Sequence, residues 1–219
     1  MDIFIIHGEY FLKSYDRLQQ YLDKAKEKKW EILNVQGLAL YIQNSLFEAK
    51  RLIVIRDSKL LKKQDFVWLK KQRDNSDDKL VIYNDGKISE TFIKSLPPIK
   101  KIEEFKLPKS IFNFLDSFFP GNSTGCLNLL HQIIEYEPVE FVFSLLGKTL
   151  RDLYWVKISP SDIPYPSWRV DKLERQASRF SEELIKELIT DFAEIDIKAK
   201  TSQGDLIDSL DLLIIQKLQ

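Results

Sequence analysis

The feature that most limits what this chain can fold into is a change of hydrophobic period near Pro108. Ahead of it, short apolar runs rich in β-branched residues alternate with amphipathic stretches. Residues 3–6, 52–55 and 80–83 are such runs, and residues 31–35 read as a further short strand. A short, unbroken run of this kind suits a strand buried on both faces. Between them, residues 11–29 carry Leu12, Tyr15, Leu18, Leu22 and Ala25 on one helical stripe, and residues 38–50 and 60–72 also repeat in threes and fours. A short helix is expected around 90–95, then Pro97-Pro98 and a polar extended stretch at 99–107. Strands alternating with helices predict a parallel sheet covered on both faces, a Rossmann-like α/β unit.

Past Pro108 every apolar stretch repeats at about 3.6 residues, the helical period. Residues 111–119, 124–135, 139–157, 169–180, 182–199 and 206–218 read as helices, separated by Pro120-Gly121-Asn122, Glu137-Pro138 and the proline-rich 159–167. Ser181 ahead of Glu182-Glu183 supplies a cap and first-turn acids. The expected organisation is therefore an α/β domain over residues 1–107 and an all-helical domain over 108–219.

The 33 basic and 33 acidic residues cancel, so the field of the whole molecule does not call for nucleic acid. Locally the balance is uneven. Residues 50–74 hold nine Lys or Arg against three Asp, and residues 181–219 hold nine acids against four Lys. A solvated face is the ordinary meaning of such runs. The single cysteine, Cys126, excludes an internal disulfide and fits a reducing compartment. No apolar run approaches the ~20 residues of a membrane span. The opening Met1-Asp2-Ile3-Phe4-Ile5-Ile6-His7 has neither the length nor the flanks of a signal peptide, so a cytoplasmic protein is expected.

The chemistry-bearing motifs are sparse. The loop after the first strand, His7-Gly8-Glu9-Tyr10, stands where a nucleotide-binding fold cradles phosphate. It has one glycine, no Lys-Ser/Thr pair and a glutamate that repels phosphate, and no G-x-G-x-x-G occurs either. With His7 and His131 as the only histidines, no zinc or Cys/His nucleophile set can be assembled. His131 reads as a helix-face residue, Cys126 as core, and the adjacent pairs Glu103-Glu104 and Glu182-Glu183 as solvated surface. No catalytic, cofactor or metal site is expected. One pair stands out: Leu46 and Phe47 are adjacent just ahead of the run at 52–55, so on a helix they point about 100° apart. Periodicity leaves two readings open, core residues or an apolar pair that docks into a partner's pocket.

Several segments of the C-terminal half resemble one family. Phe141-Val142-Phe143-Ser144-Leu145-Leu146-Gly147-Lys148-Thr149-Leu150-Arg151-Asp152-Leu153 is similar to the collar helix of the delta subunit of the bacterial DNA polymerase III clamp loader. Pro166-Ser167-Trp168-Arg169-Val170-Asp171-Lys172-Leu173 and Gln176-Ala177-Ser178-Arg179-Phe180-Ser181 look like that family's next segment. Ala193-Glu194-Ile195-Asp196-Ile197-Lys198-Ala199-Lys200-Thr201 and residues 210–218 resemble its final helices, and Ile5-Ile6-His7-Gly8-Glu9 its opening strand with a degenerate phosphate loop. The resemblance implies an AAA+-like domain that binds no ATP and has no ATPase activity, followed by a helical collar. It further implies a subunit of the DNA polymerase III holoenzyme that holds the sliding clamp (beta) and helps open it. Its partners would be gamma/tau and delta-prime type loader subunits, through the collar, and primed DNA within the complex.

In that family an apolar pair at a helix tip before the third strand enters the clamp's hydrophobic pocket, and the matching positions are Leu46 and Phe47. One departure is plain. The family's small helical lid is missing, because Leu107-Pro108 leads almost directly into the collar-like Ile111-Phe112-Asn113-Phe114. Two other classes compete with this reading: an ATP-using AAA+ enzyme, against which the degenerate loop argues, and a helical adaptor on a Rossmann-like platform unrelated to replication.

Overall fold

The computed structural model describes residues 1–38, 50–71 and 77–219, which divide into two compact units, Met1–Leu107 and Pro108–Gln219. The first is an all-parallel sheet of five strands: β1 (Asp2–Gly8), β2 (Glu31–Asn34), β3 (Arg51–Ile55), β4 (Lys79–Asp85) and β5 (Lys101–Glu104). Their order in space is β2-β3-β4-β1-β5, with β1 held between β4 and β5. Alternating side chains divide the sheet into two apolar layers. Ile3, Ile5, Ile53, Ile55, Leu80 and Ile82 join Leu69 of α2 (Lys63–Lys71) and the partly buried Phe92 and Ile93 of α3 (Glu90–Ser95). On the opposite face Phe4, Ile6, Leu52, Val54, Val81 and Tyr83 meet Leu18, Leu22 and Ala25 of α1 (Phe11–Glu27). The expected sheet with helices on both faces is present.

Two expectations need correcting. Four strands were expected and a fifth exists. The stretch read as merely polar and extended contains β5, whose Lys101, Ile102, Glu103 and Glu104 pair with 4–7 of β1. A short, charged strand is how proteins blunt an exposed sheet edge, and that chemistry hides the strand from an apolar-pattern search. The basic helix expected over 60–72 is present as α2 (Lys63–Lys71) but begins later than expected. A 3-10 turn at Ser58–Leu60 precedes α2, with the Asp57 side chain accepting from the Lys59 N–H at 2.8 Å.

The second unit is all helix: α4 (Lys109–Ser117), α5 (Ser123–Ile134), α6 (Val139–Ile158), α7 (Ser167–Ala177), α8 (Glu182–Lys200) and α9 (Leu206–Lys217). The central helix α6 packs against α4, α7, α8 and α9, and buries Phe141, Val142, Leu146, Leu150, Leu153 and Val156. It also buries one carboxylate, Asp152, on a helix otherwise apolar within. Burying a charge is costly unless it is paired and hydrogen-bonded. Asp152 is satisfied by the Arg151 guanidinium at 2.8 Å and the Tyr165 hydroxyl at 2.9 Å, with Arg169 at 3.6 Å. Arg169 in turn stacks on Tyr165, its guanidinium carbon 3.9 Å from the ring centroid. The node fastens the proline-rich connection at 159–167 to α6. Other helix ends are closed the same way: Gln176 donates to the Leu115 and Phe118 carbonyls, and Lys157 to those of Ala177 and Phe180. β5 ends at Glu104 and α4 begins at Lys109, so four residues connect the two elements.

Candidate functional site

In open parallel sheets, ligands gather beyond the carboxyl ends of the strands where the strand order reverses. Here that place is the end of β1, flanked by β4 and β5. A phosphate cradle there needs backbone N–H groups turned toward the ligand. In this chain the protein itself engages two of them, those of Gly8 and Tyr10. The Gly8 N–H donates to the Gly86 carbonyl at 3.0 Å, and the Gly86 N–H donates back to Gly8 at 3.1 Å. The Tyr10 N–H donates to the Phe105 carbonyl at 3.0 Å, while the Phe105 N–H donates to the His7 carbonyl at 2.7 Å.

Gly8 has φ +139°, and a Cβ built on it lies 2.1 Å from the Phe105 carbonyl oxygen. Only glycine lets the backbone of 105 come so close. The single glycine of this loop therefore serves a close lateral approach of the backbone that leaves β5.

His7, in the same loop, is buried and accepts a hydrogen bond from the Ile88 N–H on Nδ1 at 3.2 Å. Burial lowers its pKa below the usual 6.5; Glu104 opposes this and Lys87 adds to it. A neutral ring with its proton on Nε2 follows, acting as an acceptor for the turn after β4.

Glu103 differs from its expected role as solvated surface. Its carboxylate takes both oxygens' worth of bonding from Arg17 Nε (2.9 and 3.1 Å), with the Tyr21 hydroxyl at 3.1 Å and Lys101 at 3.2 Å. Burial alone would raise its pKa, but the bonds from Arg17 and Lys101 outweigh that and hold it low. Its neighbour points away, as adjacent strand residues must, and Glu104 meets Lys87 and Lys106 near the surface. Glu182 and Glu183 do sit at the surface, opening α8 behind the Ser181 cap.

Leu46 and Phe47, the expected docking pair, lie outside the described residues. What the structure does describe is how both flanks of 39–49 are fastened. Ahead of it, the N–H of the fully buried Leu38 donates to Asp65 Oδ1 at 2.8 Å, and the Lys62 N–H donates to Asp65 Oδ2 at 2.7 Å. Behind it, Asp78 accepts from the Arg51 N–H at 3.1 Å, from Nε at 3.2 Å and from Nη2 at 2.6 Å. Lys50 adds an ion pair to Asp77 at 2.6 Å. Both aspartates are buried, and sequence reasoning passed over both. The faint signals were an acid in the first turn of an otherwise basic helix, and an Asp pair just ahead of the run at 80–83.

Elsewhere, Cys126 is buried and its thiol is pushed up to about 12 by that burial, so it is inert packing. His131 sits half exposed on α5, its Nε2 2.9 Å from Asp211 Oδ2 of α9. Among the described residues no group of three or more His, Cys, Asp or Glu is placed to hold a metal ion. No helix among them is long and apolar enough to cross a membrane.

The fold and site define a class: an α/β platform whose phosphate-loop N–H groups close on its own backbone, followed by an all-helical unit. No family model and no curated protein sequence matches the chain. Solved structures similar to it include the DNA clamp loader delta protein of Bacillus subtilis, 14% identical, covering all of this chain and 95% of that one at a TM-score of 0.44. Another is a DNA polymerase III gamma subunit-related protein of Thermotoga maritima, 12% identical, with coverage of 100% and 95% and a TM-score of 0.32. Both likenesses are distant.

Proposed function

We propose that this chain is a clamp-loader subunit of the delta type. It binds the sliding clamp of a bacterial DNA polymerase III holoenzyme through Leu46 and Phe47, and helps open it for loading onto primed DNA. Residues 108–219 serve as the collar that joins gamma/tau and delta-prime type subunits. The observation that carries the reading is the engaged loop at the end of β1: the Gly8 and Tyr10 N–H groups donate to Gly86 and Phe105 of the same unit. With these two N–H groups engaged by its own backbone, the platform works by holding a partner, and hydrolysis falls to its neighbours. Support also comes from the collar-like segments. They fall in order on α6, α7, α8 and α9, and Arg151 and Arg169 of two of them meet at the buried Asp152 carboxylate.

Two measurements test this. The purified chain should retain its cognate sliding clamp in a pull-down, and Mg-ATP should leave its unfolding unchanged. A ligand at ~100 times its dissociation constant stabilises by about 2.7 kcal/mol, so real ATP binding is easily seen. An ATP-dependent shift of that size contradicts the proposal. Failure to retain the clamp leaves the helical-adaptor reading in its place.

A further inference from the structure

We propose that residues 59–62 and the outward face of α2 form a contact surface for the phosphate backbone of double-stranded nucleic acid. Five exposed lysines carry it: Lys59, Lys62, Lys63, Lys70 and Lys71. On α2, Lys63, Val67, Lys70 and Lys71 stand at i, i+4, i+7 and i+8, so they share one face. From Lys63 to Lys70 the row runs about 10 Å along the helix, at 1.5 Å per residue. Lys59 and Lys62 extend it ahead of the helix start. This surface is separate from clamp docking and does not rest on it.

What marks these lysines is that nothing neutralises them. Among the described residues none of the five ammonium groups has an ion-pair or hydrogen-bond partner. Lys50, Lys87, Lys94, Lys100 and Lys101 of the same unit, by contrast, each lie against an Asp or Glu. The two acids within the basic stretch are spent on backbone. Asp57 accepts from the Lys59 N–H at 2.8 Å. The buried Asp65 accepts from the N–H groups of Lys62 at 2.7 Å and Leu38 at 2.8 Å. The local carboxylates thus serve the chain while the ammonium groups face solvent together. Helix stability does not call for this. Lys70 and Lys71 in the last turn suit the helix dipole, but Lys63 at the first position opposes it. A polyanion relieves the mutual repulsion and releases its own counterions on binding.

The rest of the surface selects a duplex backbone. Single strands are held by stacking bases on exposed rings. The rings of α2 are committed elsewhere: Phe66 meets Phe92 edge-on at 5.6 Å, and Trp68 packs against the sheet core. A membrane surface needs an apolar face beside the basic one. Val67 is the one exposed apolar residue of α2.

The test uses the full chain without the sliding clamp, so this inference and clamp docking fail separately. Fluorescence anisotropy follows binding to a labelled duplex of mixed sequence as salt rises from about 50 to 200 mM. Contact through all five lysines predicts a slope of log K against log salt of about −4.5. Lys63→Gln/Lys70→Gln should reduce that slope by about 2 and weaken low-salt binding by about tenfold. Lys94→Gln/Lys100→Gln removes the same charge from exposed, paired sites and should leave the slope unchanged. Melting temperatures should hold in both, as for surface positions. Absence of duplex binding, or equal losses in the two double variants, overturns the inference. Tighter binding to a single-stranded oligonucleotide of the same length does so as well. Binding through these lysines to phosphatidylserine vesicles alone would assign the surface to a membrane and overturn it too.

Discussion

Gly8→Ala is the substitution whose cost the structure states most directly. The new Cβ would stand 2.1 Å from the Phe105 carbonyl oxygen and 2.6 Å from the Phe105 nitrogen and carbonyl carbon. To reach ordinary contact distance the backbone at 105 must retreat by more than about 1 Å. That retreat opens the bonds from Tyr10 N–H to Phe105 and from Phe105 N–H to His7, each worth about 1 kcal/mol. Holding alanine at a φ of +139° adds roughly 1–3 kcal/mol.

Together the loss is roughly 3–5 kcal/mol, a large share of the 5–15 kcal/mol that holds a domain together. Native-state hydrogen exchange should read it as β1 and β4 amides opening about two to three and a half orders of magnitude more often. Gly86→Ala is the control. Its φ is +106° but a Cβ there meets nothing within 4 Å, so only the backbone strain remains. A Gly8→Ala protein with wild-type exchange, or one no worse than Gly86→Ala, would refute the idea that the close approach of Phe105 demands glycine.

Two further outcomes are expected. The burial that depresses His7 makes the unfolded chain protonate first, so this group's contribution is present above pH ~6.5 and is lost as pH falls toward the lower folded value. Urea unfolding between pH 7.5 and 5.5 should show that loss, at no more than about 1.4 kcal/mol per pH unit, and His7→Gln should flatten it. Residues 108–219, expressed alone, should give a cooperative helical melt by circular dichroism and bind other loader subunits; a chain that stays unfolded argues against an independent bundle.

The helical half was legible almost throughout, because each of α4 to α9 carries an apolar stripe, and prolines, a glycine and the Ser181 and Asp205 caps mark most of the breaks between them. The four inner or apolar strands were legible for the same reason. β5 was not, since a charged edge strand shows no apolar pattern. Nor could sequence reveal that Gly8 serves a close approach by Phe105, that Glu103 gathers Arg17, Tyr21 and Lys101, or that Asp65 and Asp78 hold Leu38 and Arg51. These are bonds between residues far apart in the chain, and periodicity carries no record of them. Even the Arg151–Asp152 pair, visible in a family-like segment, gave no hint that Tyr165 and Arg169 complete it.

The central claim turns on Leu46 and Phe47. The direct measurement is the clamp affinity of Leu46→Ala/Phe47→Ala beside its thermal stability. Burying a Leu and a Phe in a partner's pocket contributes roughly 1.5–3 kcal/mol each. At 1.4 kcal/mol per tenfold, the double change should weaken clamp binding by about two to four orders of magnitude. Stability should move by less than ~0.5 kcal/mol, as for surface positions. A variant that melts far earlier than the parent, with clamp affinity reduced only as far as the chain unfolds, would place both residues in the core and contradict the account.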